Sequence, residues 1–117
     1  LHALFIDGVL IPASELVNQT TITQVGSLKE IEYFHVEVDT HDILLAENTP
    51  AESFVDDDSR GMFHNASEWW ANNADLSRVP AIYCAPRVTD GYELEAVRNR
   101  INARAKSQLA SEGEFAA

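Results

Sequence analysis

The chain has 117 residues, enough for one domain to bury a core without staples. Eight Lys and Arg stand against 19 Asp and Glu, a formal net charge of −11. Such a surface repels phosphate backbones and anionic membrane, so neither nucleic acid nor membrane is expected as a partner. Cys84 is the one cysteine and has no internal partner for a disulfide. No apolar run approaches the roughly 18–20 residues that cross a bilayer.

Residues 2–11 predict a β-hairpin turning at Asp7-Gly8, since both positions tolerate positive φ in a two-residue type I′ turn. Pro12 ends its second strand, Ser14 caps a short helical turn over residues 15–17, and Asn18 breaks it. Residues 20–24 are rich in β-branched side chains and read as a strand. Residues 31–38 alternate: Phe34, Val36 and Val38 form the apolar side and are expected in the core. His35 then points the opposite way, towards a second layer or a cleft. Residues 43–46 form a continuous apolar run, as in a strand buried on both faces. A turn over residues 47–50 and a last short strand over residues 52–55 follow.

Asp56-Asp57-Asp58 marks a change of composition. It lacks the ligand spacing of a calcium loop and reads as a solvated charge run. Two units are expected: residues 1–56, rich in β-structure, and a looser tail over residues 57–117. Within the tail, Trp69 and Trp70 fall on a single helical turn, and their rings are expected to cover the sheet edge. A helix is predicted at about residues 93–110, with Leu94, Val97, Ile101, Ala105 and Leu109 along one stripe and Gly113 as its stop. Arg98, Arg100, Arg104 and Lys106 fall on its solvated face.

Three ordered blocks carry a resemblance: HALFIDGVLIPA at residues 2–13, LVNQTTI at 16–22, and YFHVEVDTHDILLAENTPAESFVD at 33–56. Together they resemble the hedgehog/intein, or Hint, domain, in the bacterial form of that family. Arg60, Phe63 and residues 84–105 resemble the tail that follows the domain there. The resemblance implies a mainly β, Hint-like fold of curled hairpins, here without its first block, then an irregular segment and a C-terminal α-helix. It also implies autoprocessing. A Cys or Ser at the domain's first residue attacks the preceding carbonyl, and a histidine of the second block assists. The substrate is then the protein's own N-terminal flanking polypeptide.

Carried over by position, His2 matches that second-block histidine and His41 the histidine of a later block. His35 stands where many inteins carry aspartate, and the bacterial form has His there too. His2, His35 and His41 are therefore the candidate catalytic residues. An imidazole suits proton transfer to a departing amide nitrogen because its unperturbed pKa lies near neutrality. The nucleophile is expected upstream of His2, so this segment alone is expected to have no turnover. The asparagine that inteins use for splicing has no match near residues 52–54. His64-Asn65 lies past the last block and has no Cys, Ser or Thr after it, so cleavage or acyl transfer is expected rather than splicing. Cys84 reads as a buried or inert thiol.

Two readings compete with autoprocessing. One is a degenerate Hint-like module that binds or supports, on a secreted bacterial protein. The other is a metal site at His35, Asp39, His41 and Asp42, whose spacing matches no strong zinc motif. Neither a cofactor nor a metal is expected.

Overall fold

The computed structural model describes residues 2–26, 30–73 and 81–116, with side chains through residue 111. Two hairpins make one antiparallel sheet. Strands β1 (Ala3–Ile6) and β2 (Val9–Pro12) form the first; β3 (Ile43–Ala46) and β4 (Thr49–Glu52) form the second. The strand order is β2-β1-β4-β3, with Leu4 opposite Ala51 where the hairpins meet. The first turn lies where expected, with φ of 53° at Asp7 and 79° at Gly8. Its mirror-type twist matches that of the flanking strands. The second turn has the same form at Glu47 and Asn48, with φ of 52° and 61°. The turn is thus two residues long, not the expected four, and Thr49 and Pro50 belong to β4.

A short 3₁₀ turn at Ala13–Leu16 follows β2. Ser14 lies inside it and makes no cap. Beyond the sheet come a 3₁₀ turn at Arg60–Met62, helix α1 (Ala66–Asn72) and helix α2 (Tyr92–Ala116). Helix α2 passes through Gly113. One glycine in a helix interior costs only about 1 kcal/mol, and no proline follows to force a stop. No helix among the described residues is long and apolar enough to cross a membrane.

The register puts Leu4 opposite Ile11 and Ile6 opposite Val9, so these four side chains share one face. Helix α2 packs on that face: Val9, Ile11, Leu16, Leu94 and Val97 form the buried cluster, with Leu4, Ile6, Ile22, Val88 and Ile101 around it. The helical stripe is correct as far as Ala105, which is buried; Leu109 is exposed. Arg98 pins the helix to the 3₁₀ turn, donating from Nε to the Glu15 carbonyl at 2.9 Å and pairing with the Glu15 carboxylate at 2.7 Å. Arg100 reaches Asp7 in the first turn at 2.6 Å. Two of the four basic residues assigned to solvent thus tie the helix down.

The tail also closes the sheet edge at β2. The Leu10 N–H donates to the Pro86 carbonyl at 2.7 Å and the Val88 N–H donates to the Leu10 carbonyl at 2.8 Å, a parallel bridge between Leu10 and Arg87. An edge strand left open is a template for unwanted pairing, and this segment covers it.

Three expectations about the middle of the chain are corrected. Residues 33–38 form no strand, and their link to β4's continuation is the Phe54 N–H donated to the Val36 carbonyl at 2.7 Å. Alternation alone makes no ladder without a neighbour to receive it. Phe34 and Val36 accordingly lie exposed, 81% and 59%, and Val38 with them, while the His35 and Glu37 side faces the protein. Residues 20–24 are not a strand either. Asn18 gathers the loop instead, its Oδ1 accepting the N–H groups of Thr20, Thr21 and Ile22 at 2.8–3.0 Å. Finally, β3 is covered only partly: Leu45 is 75% exposed.

Candidate functional site

His2 immediately precedes β1, and its carbonyl accepts the Ala13 N–H at 3.0 Å. Its ring meets the His35 ring edge to face, with centroids 5.6 Å apart. His35 in turn packs against Phe63 at 5.1 Å and Phe54 at 5.9 Å, and these two phenyl rings touch at 5.4 Å. Edge-to-face contacts of this kind favour defined ring orientations. Arg60 backs the cluster: its guanidinium stacks 3.6 Å from the Trp69 ring centroid and 5.1 Å from that of Phe54. Glu37 and Asp56 hold that guanidinium at 2.5 and 3.1 Å. Of the two tryptophans of α1, Trp69 therefore packs on this arginine rather than on the sheet edge, and Trp70 stands edge-on against Trp69.

Below lies a second group, centred on Glu52 at the end of β4. Its side chain is 5% exposed. Oε1 accepts the Ala3 N–H at 2.8 Å and Arg87 Nη2 at 3.0 Å. Oε2 accepts Arg87 Nη1 at 2.8 Å and faces His41 Nε2 at 3.0 Å. His41 Nδ1 receives the Cys84 N–H at 2.9 Å. A backbone N–H can only donate, so Nδ1 offers its lone pair and the proton sits on Nε2, directed at Glu52. Both nitrogens of His41 are thereby occupied, and its ring rests edge-on against Tyr83 at 5.5 Å. Among the described residues no buried side-chain nitrogen or oxygen lacks a partner.

Desolvation by the surrounding protein pushes the His2 pKa below the usual histidine range; Glu52 opposes that, while His35 and Arg87 reinforce it. Burial alone would raise the Glu52 carboxyl. The Arg87 hydrogen bonds, the Ala3 N–H, the Arg87 charge and His41 outweigh it, and the carboxyl stays below its ordinary value. Cys84 is exposed, not buried, and desolvation together with Asp42 and Glu52 pushes its thiol up. It therefore carries little thiolate, the reactive form.

Of the three histidines selected from sequence, the fold brings His2 and His35 into contact and places His41 apart, joined to them through Glu52. No group of three His, Cys, Asp or Glu side chains able to hold a metal forms among the described residues. Glu52 and Arg87 escaped the sequence reading. One signal existed for Glu52: it is a lone acid closing a strand whose other members are uncharged.

The comparison with known families bears on this assembly directly. Residues 2–58 match the family model of the Hint domain. The match covers just under half of the chain. The match contains His2, His35, His41, Glu52 and Phe54, together with both hairpins, and ends before α1 and α2. No curated protein and no solved structure matches the chain.

Proposed function

We propose that the Hint segment serves autoprocessing: an N-to-S or N-to-O acyl shift that cleaves or transfers the polypeptide on its N-terminal side. The observation that carries this reading is the His2–His35 contact at the head of β1, inside the stretch matched to the family. The nucleophile is a Cys or Ser upstream of His2 in the same polypeptide. His2 takes the proton from its thiol or hydroxyl as the sulfur or oxygen attacks the preceding carbonyl carbon. When the carbon–nitrogen bond breaks, His2 returns that proton to the departing nitrogen. A thioester or ester results, with no net change in protons, and water or another nucleophile then takes the acyl group.

The depressed pKa of His2 suits both halves of this exchange. The ring is neutral near pH 7 and able to accept a proton, and once protonated it is a stronger acid than free histidine. His35 holds the ring from the side. His41, with both nitrogens engaged, contributes through Glu52.

A second reading, a Hint-like binding or structural module, is favoured by one observation: the exposed row of Phe34, Val36 and Val38. Intact mass spectrometry on the complete polypeptide, native and His2→Ala, with and without added thiol, separates the two. Autoprocessing predicts a mass split just before an upstream Cys or Ser, absent from the variant. A single uncleaved mass under every condition overturns autoprocessing and favours the module.

A further inference from the structure

We propose that Glu52 and Arg87 are positioning residues for His2: Arg87, delivered by the tail, holds the Glu52 carboxylate against the Ala3 N–H and so fixes the peptide group from which the His2 ring is carried. This rests on the reading of His2 as the proton carrier.

The peptide unit joining His2 to Ala3 is clamped at both polar atoms. Its carbonyl accepts from Ala13 N at 3.0 Å, and its N–H donates to Glu52 Oε1 at 2.8 Å. Ala3 itself is fully buried. With that plane fixed, the His2 ring moves only by rotation about the residue's own Cα–C bond and its side-chain torsions, and the edge contact with His35 limits both. Glu52 has no freedom to drift. A carboxylate offers about four acceptor positions, and Ala3, His41 and the two-pronged Arg87 fill them.

Arg87 lies outside the family match, yet the fold delivers it reliably. Residues 86–88 lie along β2, and Val88 joins the apolar core on the helix face. Side chains alternate along an extended segment, so Arg87 projects to the opposite face, where Ala3 and Glu52 lie. Lysine offers no planar fork and does not reproduce the paired contact. The titratable and charged side chains facing His2 are Glu52, His35 and Arg87.

The test uses Glu52→Gln, Arg87→Gln and Arg87→Lys, each read in two ways. In the 117-residue chain, NMR follows the His2 ring titration and the Ala3 amide resonance. In the complete polypeptide, the cleavage rate is followed against pH. Glu52→Gln is expected to move the His2 titration to lower pH, and Arg87→Gln to move it to higher pH. Arg87→Lys restores the titration but not the rate, because the charge returns without the fork. The two Gln variants are expected to slow cleavage by roughly tenfold to a hundredfold, the scale of a reacting group displaced by about 1 Å.

Opposite shifts of His2 support the assignment even in a polypeptide that never cleaves, an outcome that would sink autoprocessing alone. Cleavage at an unchanged rate in Arg87→Gln overturns the assignment and leaves autoprocessing standing. The assignment is equally overturned by a folded Arg87→Lys or Glu52→Gln protein in which the His2 titration and the Ala3 amide are both unmoved.

Discussion

Truncating Leu94 to alanine tests whether the C-terminal helix and the first hairpin share one core. Leu94 is fully buried and clusters with Val9, Ile11, Leu16 and Val97. Removing its side chain loses the transfer free energy of the deleted groups and leaves a cavity. Its neighbours include two sheet residues fixed by the β1–β2 register, so the site has limited room to collapse. The middle of the range for buried leucines applies, about 3 kcal/mol. For a domain of this size that corresponds to a fall in Tm of roughly 12 °C. Thermal unfolding by circular dichroism measures the fall. Amide hydrogen exchange then asks where it is felt. If helix and hairpin form one cooperative unit, the amides of β1 and β2 lose protection along with those of α2. A variant whose helix amides exchange faster while the hairpin amides stay protected would refute the shared core.

Gly8→Ala places a side chain at φ 79° in the first turn and is expected to destabilise by about 1 kcal/mol, read from the denaturant midpoint at unchanged slope. Arg98→Ala removes the contacts to Glu15, but both side chains are about a third exposed, so the expected loss is only about 0.5–1 kcal/mol and smaller still in 1 M salt. Stability should also decline in acid in two stages. His2 and Glu52 both have folded pKa values below their unfolded ones, so the unfolded chain binds protons more readily. Each contribution is complete above the unfolded pKa, about 6.5 for His2 and about 4.5 for Glu52, and is lost as pH falls through the folded value. Urea unfolding as a function of pH checks this: Glu52→Gln should flatten the lower stage and leave an upper one, while a curve identical to that of the native chain would contradict the assignment.

How much of this was legible in the sequence depended on whether a signal was local. Asp7-Gly8 specifies its turn by itself, and the helical stripe from Leu94 to Ala105 needs only its own period. Glu47-Asn48 makes the same type of turn without glycine, so its signal was weak. Residues 33–38 show the opposite failure. Their alternation correctly set His35 apart from Phe34, but which side meets the protein depends on partners supplied from elsewhere in the chain. Arg87 was invisible for that same reason, since its role exists only once β2 has paired with residues 86–88.

That dependence bears on how the site is built. The three histidines, Glu52 and Phe54 all lie within the Hint match, whereas Phe63, Arg87, the Cys84 amide and the helix that buries Val9 and Ile11 lie beyond it. A carboxylate 5% exposed beside Ala3 is tolerable only if paired, because an unpaired buried charge costs several kcal/mol. Residues 2–58 alone supply one of its charged or polar side-chain partners, His41; the guanidinium comes from outside. Nor does His41 hold its tautomer unaided, since the amide occupying Nδ1 belongs to Cys84. Cutting the chain after residue 58 would therefore leave Glu52 without its cation and His41 free to exchange tautomers. The family match marks where the histidines are, while the tail sets the electrostatics in which they sit.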